Sequence, residues 1–298
     1  MKILISYDGS NHADAAIDDL QWAGLPETTD AVVLSAVEWP TMLAMKSWGM
    51  VETDFSPEWM QRIGQAQQLA ATGADRLRTL FPKWNIEIEP AGGDPADMIL
   101  EKARAWPADL IVVGTHGRNA VGRVVLGSVS MKVLRHAPCS VRVVRERKHD
   151  GPLRLLIGVD GSAEANAAVD AVCRRSWPEG TQVRVFAAQE IFALANAERI
   201  GIGERIYDRV NQDEYLRMKD AARESADKLH SAGLSASPVV SEGDPKDALV
   251  RDAHNWNIDT IFVGARGLGR VEGLFLGSVS SATVAHAPCT VEVVRRRS

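Results

Sequence analysis

The sequence predicts an α/β protein built from two tandem domains, each a doubly wound, mostly parallel sheet of five strands. Three observations carry this. The 298 residues are twice a common domain size of about 150. A set of motifs recurs once, at a steady spacing. Within each half, short apolar runs alternate with longer amphipathic stretches, the pattern of a parallel sheet with helical crossovers.

The repeat sets the architecture. Lys2-Ile-Leu-Ile-Ser-Tyr-Asp-Gly-Ser10 aligns with Arg154-Leu-Leu-Ile-Gly-Val-Asp-Gly-Ser162, 152 residues later. Gly93-Asp94-Pro95, Gly127-Ser128-Val129-Ser130 and His136-Ala137-Pro138-Cys139 each return 150 residues on, at Gly243, Gly277 and His286. A period this long is a domain duplication and not a solenoid. The expected boundaries are residues 1–147 for the first domain, 148–152 for a linker carrying Asp150-Gly151-Pro152, and 153–298 for the second.

In the first half, strands are expected at Ile3–Tyr7, Ala31–Val37, Ile86–Glu89, Leu110–Val113 and Ser140–Val144. Helices are expected near Ala13–Ala23, Glu58–Leu80, Ala96–Ala105 and Ser128–Arg135. The second half repeats this with strands at Leu155–Val159, Val183–Ala188, Ser235–Val240, Thr260–Val263 and Thr290–Val294. Its helices fall near Ala165–Arg174, Asp208–Ala232, Pro245–Asn255 and Ser278–Ala285. The central strands are unbroken apolar runs, Leu110-Ile-Val-Val113 for example, as strands covered on both faces are. Two segments after the second strands, Glu38–Ser56 with Trp39, Trp48 and three Met, and Gln189–Ile206, fit the repeat loosely. They read as variable loops, with lids or interface elements as the alternatives.

Composition narrows the function. A net charge of −5 disfavours a duplex nucleic-acid partner, and the basic ends Arg145–Lys148 and Arg295–Arg297 read as solvated. No apolar run is long enough to cross a bilayer, Met1 runs directly into an apolar strand, and three Cys make no disulfide framework. The expectation is a cytoplasmic protein with no membrane and no nucleic-acid partner.

The chemistry-bearing motif is Gly114-x2-Gly117-x9-Gly127-Ser128, repeated as Gly264-x2-Gly267-x9-Gly277-Ser278. A strand precedes each copy and a helix follows. Glycine permits positive φ and close backbone approach to a ligand. Ser128 and Ser278 stand where an N-cap belongs, and a helix start with unpaired N–H groups suits phosphate. The other reading of the loop is a glycine-rich turn with a capping serine and no ligand. A P-loop is excluded because Gly117-x4-Gly122 leads into Arg123-Val124, where Lys and Ser/Thr are needed. A dinucleotide fingerprint is excluded because Asp8-Gly9-Ser10 follows the first strand in place of G-x-G-x-x-G.

Asp8 and Asp160 close the first strands. Such a carboxylate can accept from a ribose hydroxyl or a base edge, help hold a phosphate-bound metal ion, or make an Asx turn onto the next helix. If strands one and four are neighbours, it faces the glycine loop across the switch-point crevice. His116 is replaced by Arg266 in the second copy, an exchange that suits a phosphate-facing donor and not a general acid. His136-Ala-Pro-Cys139 offers two ligands where zinc takes three or four, so it reads as a structural turn.

These residues resemble the universal stress protein family over nearly all of both halves. Asp8-Gly9-Ser10 and Asp160-Gly161-Ser162, both glycine loops and the His-Ala-Pro-Cys turns carry the resemblance. It implies a Rossmann-like strand order 3-2-1-4-5 and, because the glycine spacing is that of the family's ATP-binding branch, an adenine-nucleotide site in each half. By position the first site would comprise Asp8, Val37, Val113, Gly114, Gly117, Gly127, Ser128, Val129 and Ser130, with Val37 giving backbone contacts to adenine. The second would comprise Asp160, Ala188, Val263, Gly264, Gly267, Gly277, Ser278, Val279 and Ser280. Any Mg would arrive on the ATP phosphates; no protein metal site is expected. The family's pairing through its last strand implies that Val141–Val144 and Val291–Val294 join in an intrachain pseudo-dimer, with a homodimer through these strands as the alternative.

The function expected is ATP binding by a stress-response or signalling module. Its rivals are a slow ATPase or phosphotransferase, and an interaction scaffold with vestigial loops. An enzyme would need an oriented base or nucleophile beside the phosphates, and Asp8 with its counterpart is the only repeated carboxylate expected nearby.

Overall fold

The computed structural model describes residues 1–38, 57–115, 126–147, 150–190, 204–267 and 276–296. It divides into two compact units, Met1–Glu146 and Arg147–Arg296. Most of the segments 38–56 and 189–206 lies outside the described residues.

The first unit runs β1 (Lys2–Ser6), α1 (Asn11–Asp19), β2 (Asp30–Val37), α2 (Pro57–Leu80), β3 (Asn85–Gly92), α3 (Pro95–Ala105), β4 (Leu110–Gly114), α4 (Ser128–His136) and β5 (Ser140–Val144). The second runs β6 (Arg154–Gly158), α5 (Ala163–Cys173), β7 (Gln182–Gln189), α6 (Glu204–Ser231), β8 (Ser235–Glu242), α7 (Pro245–Asn255), β9 (Thr260–Gly264), α8 (Ser278–His286) and β10 (Thr290–Val294). In the first unit β1 pairs in parallel with both β2 and β4, β3 flanks β2, and β5 flanks β4. The strand order is therefore 3-2-1-4-5. The second unit repeats it, with β6 between β7 and β9, β8 beside β7 and β10 beside β9.

Alternation along the strands sends successive side chains to opposite faces. Ile3, Ile5, Val33 and Val112 pack against Ala16, Ile17, Ala70, Ala74 and Leu77 of α1 and α2. The alanines keep α2 close to the sheet. Leu155, Ile157, Val183 and Val185 do the same against Ala168, Val169, Ala222 and Ala226. Helices α3 and α7 cover the opposite faces, which explains why the central strands are apolar without interruption. Among the described residues no helix is long and apolar enough to cross a membrane.

Three local features depart from the expectations. The helix expected over Ala13–Ala23 stops at Asp19 and tightens into a 3-10 turn at Leu20–Trp22. Gly24 follows with φ +63°, a left-handed residue of the kind that ends helices. Strands β3 and β8 extend past their expected ends and include Pro90 and Pro238. Each flanks only one strand of its own unit, and a strand with one free side tolerates the missing N–H. Finally, β5 and β10 carry charge inside their apolar runs. Arg142 is fully buried and its Nε lies 2.6 Å from Asp19 Oδ2 at the end of α1. The equivalent Glu292 is also fully buried, with Oε2 2.9 Å from Arg175 Nη1. A buried charge requires such a partner, so β5 is locked to the last residue of α1 and β10 to the turn just after α5.

Tyr7 is the other buried polar anchor. Its ring packs on Gly73 of α2, where an added Cβ would stand 2.9 Å from Cγ of the ring. Its hydroxyl donates to Asp14 Oδ1 at 2.7 Å. Burial first, then this hydrogen bond and the Asp14 charge, push the phenol up to about 12 from 10.0. Because the folded state holds the proton more tightly than the unfolded chain, the contribution is full below pH 10 and lost as pH rises to about 12. An ultraviolet titration of the three tyrosines should therefore show one late ionisation. It should vanish in Tyr7→Phe, together with the extra loss of stability in that pH window; a late step that survives the substitution assigns it elsewhere.

Candidate functional site

At the carboxyl ends of β6, β7 and β9 the second unit holds a cavity of about 290 Å³. Strands β6 and β9 are adjacent although two strands of sequence, β7 and β8, separate them, so the chain leaves them toward opposite faces. A crevice at this switch point follows from the topology. Asp160, Ala188, Val263, Gly264, Arg266, Gly267, Gly277, Ser278, Val279 and Ser280 all line it. The ten residues that the repeat and the resemblance single out in the second half thus converge on one cavity.

The Asp160 carboxylate sits between two backbone segments. Its Oδ1 accepts the Ser162 N–H at 2.9 Å, the Asx turn that launches α5, with Gly161 at φ +80°. Its Oδ2 faces the glycine loop: a Cβ on Gly267 would stand 2.5 Å from it. Gly264 meets a similar constraint from the other side, since its Cβ would fall 2.6 Å from the Glu164 carbonyl carbon. Of the two roles expected of glycine, close approach is the one met at Gly114, Gly264 and Gly267; these three, with Gly127 and Gly277, all have φ outside the left-handed region.

The expected caps are corrected by one residue. Gly127 and Gly277 are the N-caps, with φ/ψ of −60°/151° and −70°/158°, and neither helix start has a side-chain cap. Ser128 and Ser278 are the first helical residues. By contrast Ser10, Asp94, Ser162 and Asp244 each cap their helix with a side-chain oxygen. A helix leaves its first N–H groups without intrahelical partners. At α8 these groups open onto the cavity, because a glycine cap supplies no oxygen to cover them, and the helix adds partial positive charge. Ser280, in the first turn, turns its hydroxyl back and donates to the Gly264 carbonyl at 2.6 Å. It fastens the helix to the strand end.

The first unit repeats this local geometry. Asp8 Oδ1 accepts the Ser10 N–H at 3.0 Å and Ser130 donates to the Gly114 carbonyl at 2.7 Å. Gly127 N–H donates to Thr115 at 2.8 Å, as Gly277 does to Ala265 at 2.7 Å. Val113, next to the last residue of β4, stands beside Val143, and Ser128 and Val129 open α4. His116 and Gly117 lie outside the described residues.

Register corrects one pairing between the halves. Lys2 stands opposite Asp30, and Arg154 opposite Gln182, so Val37 is equivalent to Gln189, and Ala188 to Ala36. The carbonyls agree: Val37 O accepts from Gly93 N–H and Gln189 O from Gly243 N–H. The Gln189 side chain reaches Asn211 on α6, away from the side where Ala188 meets the cavity. The spacing alone left this one-residue ambiguity in a run of small apolar residues.

Sequence reasoning also missed cavity residues. Phe186 and Glu190 line it on either side of the expected Ala188, as alternate residues along β7 and its exit, with Pro245 and Leu249 of α7 also in the lining. Glu190 is a second carboxylate, where Asp160 alone was expected. The signal was present: Glu38 lies 152 residues before Glu190, the same offset as Asp8 to Asp160.

Two doubly wound domains in one chain, one with an open cavity at its switch point and both with glycine-capped helix starts, define a tandem Rossmann-like α/β protein. The chain belongs to the universal stress protein family: the model of that family matches residues 1–145 and 153–295. Universal stress protein Rv2005c of Mycobacterium tuberculosis is 28% identical over 307 residues, covering 99% of this chain and 97% of that one. A putative universal stress protein of Staphylococcus epidermidis is 33% identical over 147 residues, 48% of this chain and 83% of its own. The crystal structure of a universal stress protein from Archaeoglobus fulgidus superposes with a TM-score of 0.63 at 20% identity, covering 99% and 96% of the two chains.

The serine fastener is testable. Ser280→Ala should leave a buried carbonyl without this partner and cost about 1–2 kcal/mol in denaturant unfolding, and Ser130→Ala should cost the first unit a similar amount. Unchanged midpoints in both would show that these hydroxyls do not hold the helix starts.

Proposed function

We propose that this universal stress protein is an adenine-nucleotide-binding regulatory module, with ATP as the ligand and one site in each domain. The observation that carries the reading is the convergence of Asp160, the Gly264–Gly267 turn and the glycine-capped start of α8 on one switch-point cavity. In this reading the phosphates take the open N–H groups of α8 and the Arg266 side chain, the ribose lies over Asp160, and the base lies toward β7. The first domain uses Asp8, Gly114 and Gly127–Ser130 in the same roles, with Ala36 in the place that Val37 was expected to take. Mg enters bound to the phosphates. The protein works in the cytoplasm, in a stress or signalling response.

The polar groups described around the cavity support binding over fast chemistry. Asp160 is engaged in its turn, Ser280 donates to Gly264, and among the described lining residues there is no His or Lys to serve as a base or a phosphate-gripping amine.

Titration calorimetry of protein stripped of nucleotide should approach two ATP per chain. Gly267→Glu should remove one of them, because it sets bulk and negative charge against Asp160 where phosphate approaches. Absence of binding at millimolar ATP, or full stoichiometry in the folded variant, would sink the assignment. ATP turnover should stay well below about one per second, an ordinary enzymatic rate; a faster rate favours the ATPase reading.

A further inference from the structure

Glu190 is the cavity residue that neither the glycine motif nor the Asx turn explains. Strand β6 lies between β9 and β7, and neighbouring strands stand about 4.8 Å apart. The three strand ends therefore present a row: α8 and the glycine loop over β9, Asp160 over β6, and Phe186, Ala188 and Glu190 over β7 and its exit. The phosphate-attracting end lies at β9, so on the reading above the base is carried to the β7 end. There the wall is apolar at Phe186 and Ala188, and the charged residue that lines it next along the chain is Glu190. Among the described residues no hydrogen bond or ion pair to this carboxylate appears. The first unit places Leu34, Ala36 and Glu38 at the equivalent register positions.

We infer that Glu190 is a specificity-determining residue: its carboxylate accepts a hydrogen bond from the exocyclic 6-amino group of the base and thereby selects 6-amino over 6-oxo purines. An ionised carboxylate only accepts. It gains a charge-assisted bond from an amino group and meets a 6-oxo group as two acceptors face to face. This inference rests on the nucleotide reading and adds the residue that reads the base. Glu38 does the same at the first site.

The test is titration of the full-length chain with ATP, ITP and GTP; ATP and ITP differ in the base at the 6-position and in N1, an acceptor in the first and an N–H in the second. Wild type should prefer ATP by about tenfold, one charge-assisted hydrogen bond at a partly solvated rim. In Glu190→Gln, whose amide both donates and accepts, one of the two sites should lose this preference through tighter ITP binding, and in Glu38→Gln/Glu190→Gln both should. Tighter ITP binding is a gain that misfolding cannot mimic. An unchanged ATP-to-ITP ratio in the variants, or a wild type that prefers ITP or GTP, overturns the inference while leaving nucleotide binding intact. Failure of wild type to bind any of the three overturns the nucleotide reading itself.

Discussion

The site depends on one close approach of backbone to backbone. At the end of β9, Gly264 lies so near the first turn of α5 that a single added carbon would meet the Glu164 carbonyl at 2.6 Å; at the end of β4, Gly114 meets His12 O at 2.9 Å in the same way. Well-packed interiors do not yield to such an overlap cheaply. The contact draws the helix that follows the first strand onto the end of the fourth. That sets the aspartate turn beside the glycine loop, and the gap between them is the crevice.

Around that contact the hydrogen bonds divide the labour. Ser162 caps α5 with its side chain, and Asp160 caps the same turn with one oxygen while the other faces Gly267. Ser280 ties α8 to the strand end it follows. Side-chain oxygens likewise cap the starts of α1, α3 and α7, whereas those of α4 and α8 have none. Burying a helix start without partners is costly, so the two exceptions belong where solvent or a ligand reaches them. A rigid frame of capped helices thus presents one uncapped end to the cavity.

The duplication preserved this frame and let its surroundings diverge. The fifth strands exchange Arg142 for Glu292 at one position, and each buried charge found a partner of opposite sign on its own helix layer. Tyr7 and Gly73 in the first unit give way to Val159 and Ser225 in the second, at the offset of 152 that also relates Ala70 to Ala222 and Leu77 to Leu229: a ring in one needs a glycine under it, and a smaller residue in the other goes with a larger one on the helix. Family resemblance at 28% identity over the full length is compatible with this, since frame and filling are constrained separately.

Much of this was legible in the sequence, because strand and helix periods, paired motifs and a steady offset are local properties of the chain. The strands, the parallel double winding and the grouping of Asp160 with the glycine loop follow from period, spacing and topology rules alone. What the tertiary structure decided were the properties that depend on neighbours distant in sequence. Ser128 and Ser278 look like caps in sequence, but the cap is the residue whose backbone is still extended, and that is Gly127 and Gly277. Val37 and Ala188 look equivalent in runs of small apolar residues, and only pairing against Lys2 and Arg154 sets the register. The glycines look chosen for positive φ, whereas the atoms that exclude a side chain belong to Asp160 and Glu164, about a hundred residues away in the chain. Sequence patterns report what each residue can do alone; steric exclusion and register are relations between segments, and they exist only once the chain is folded.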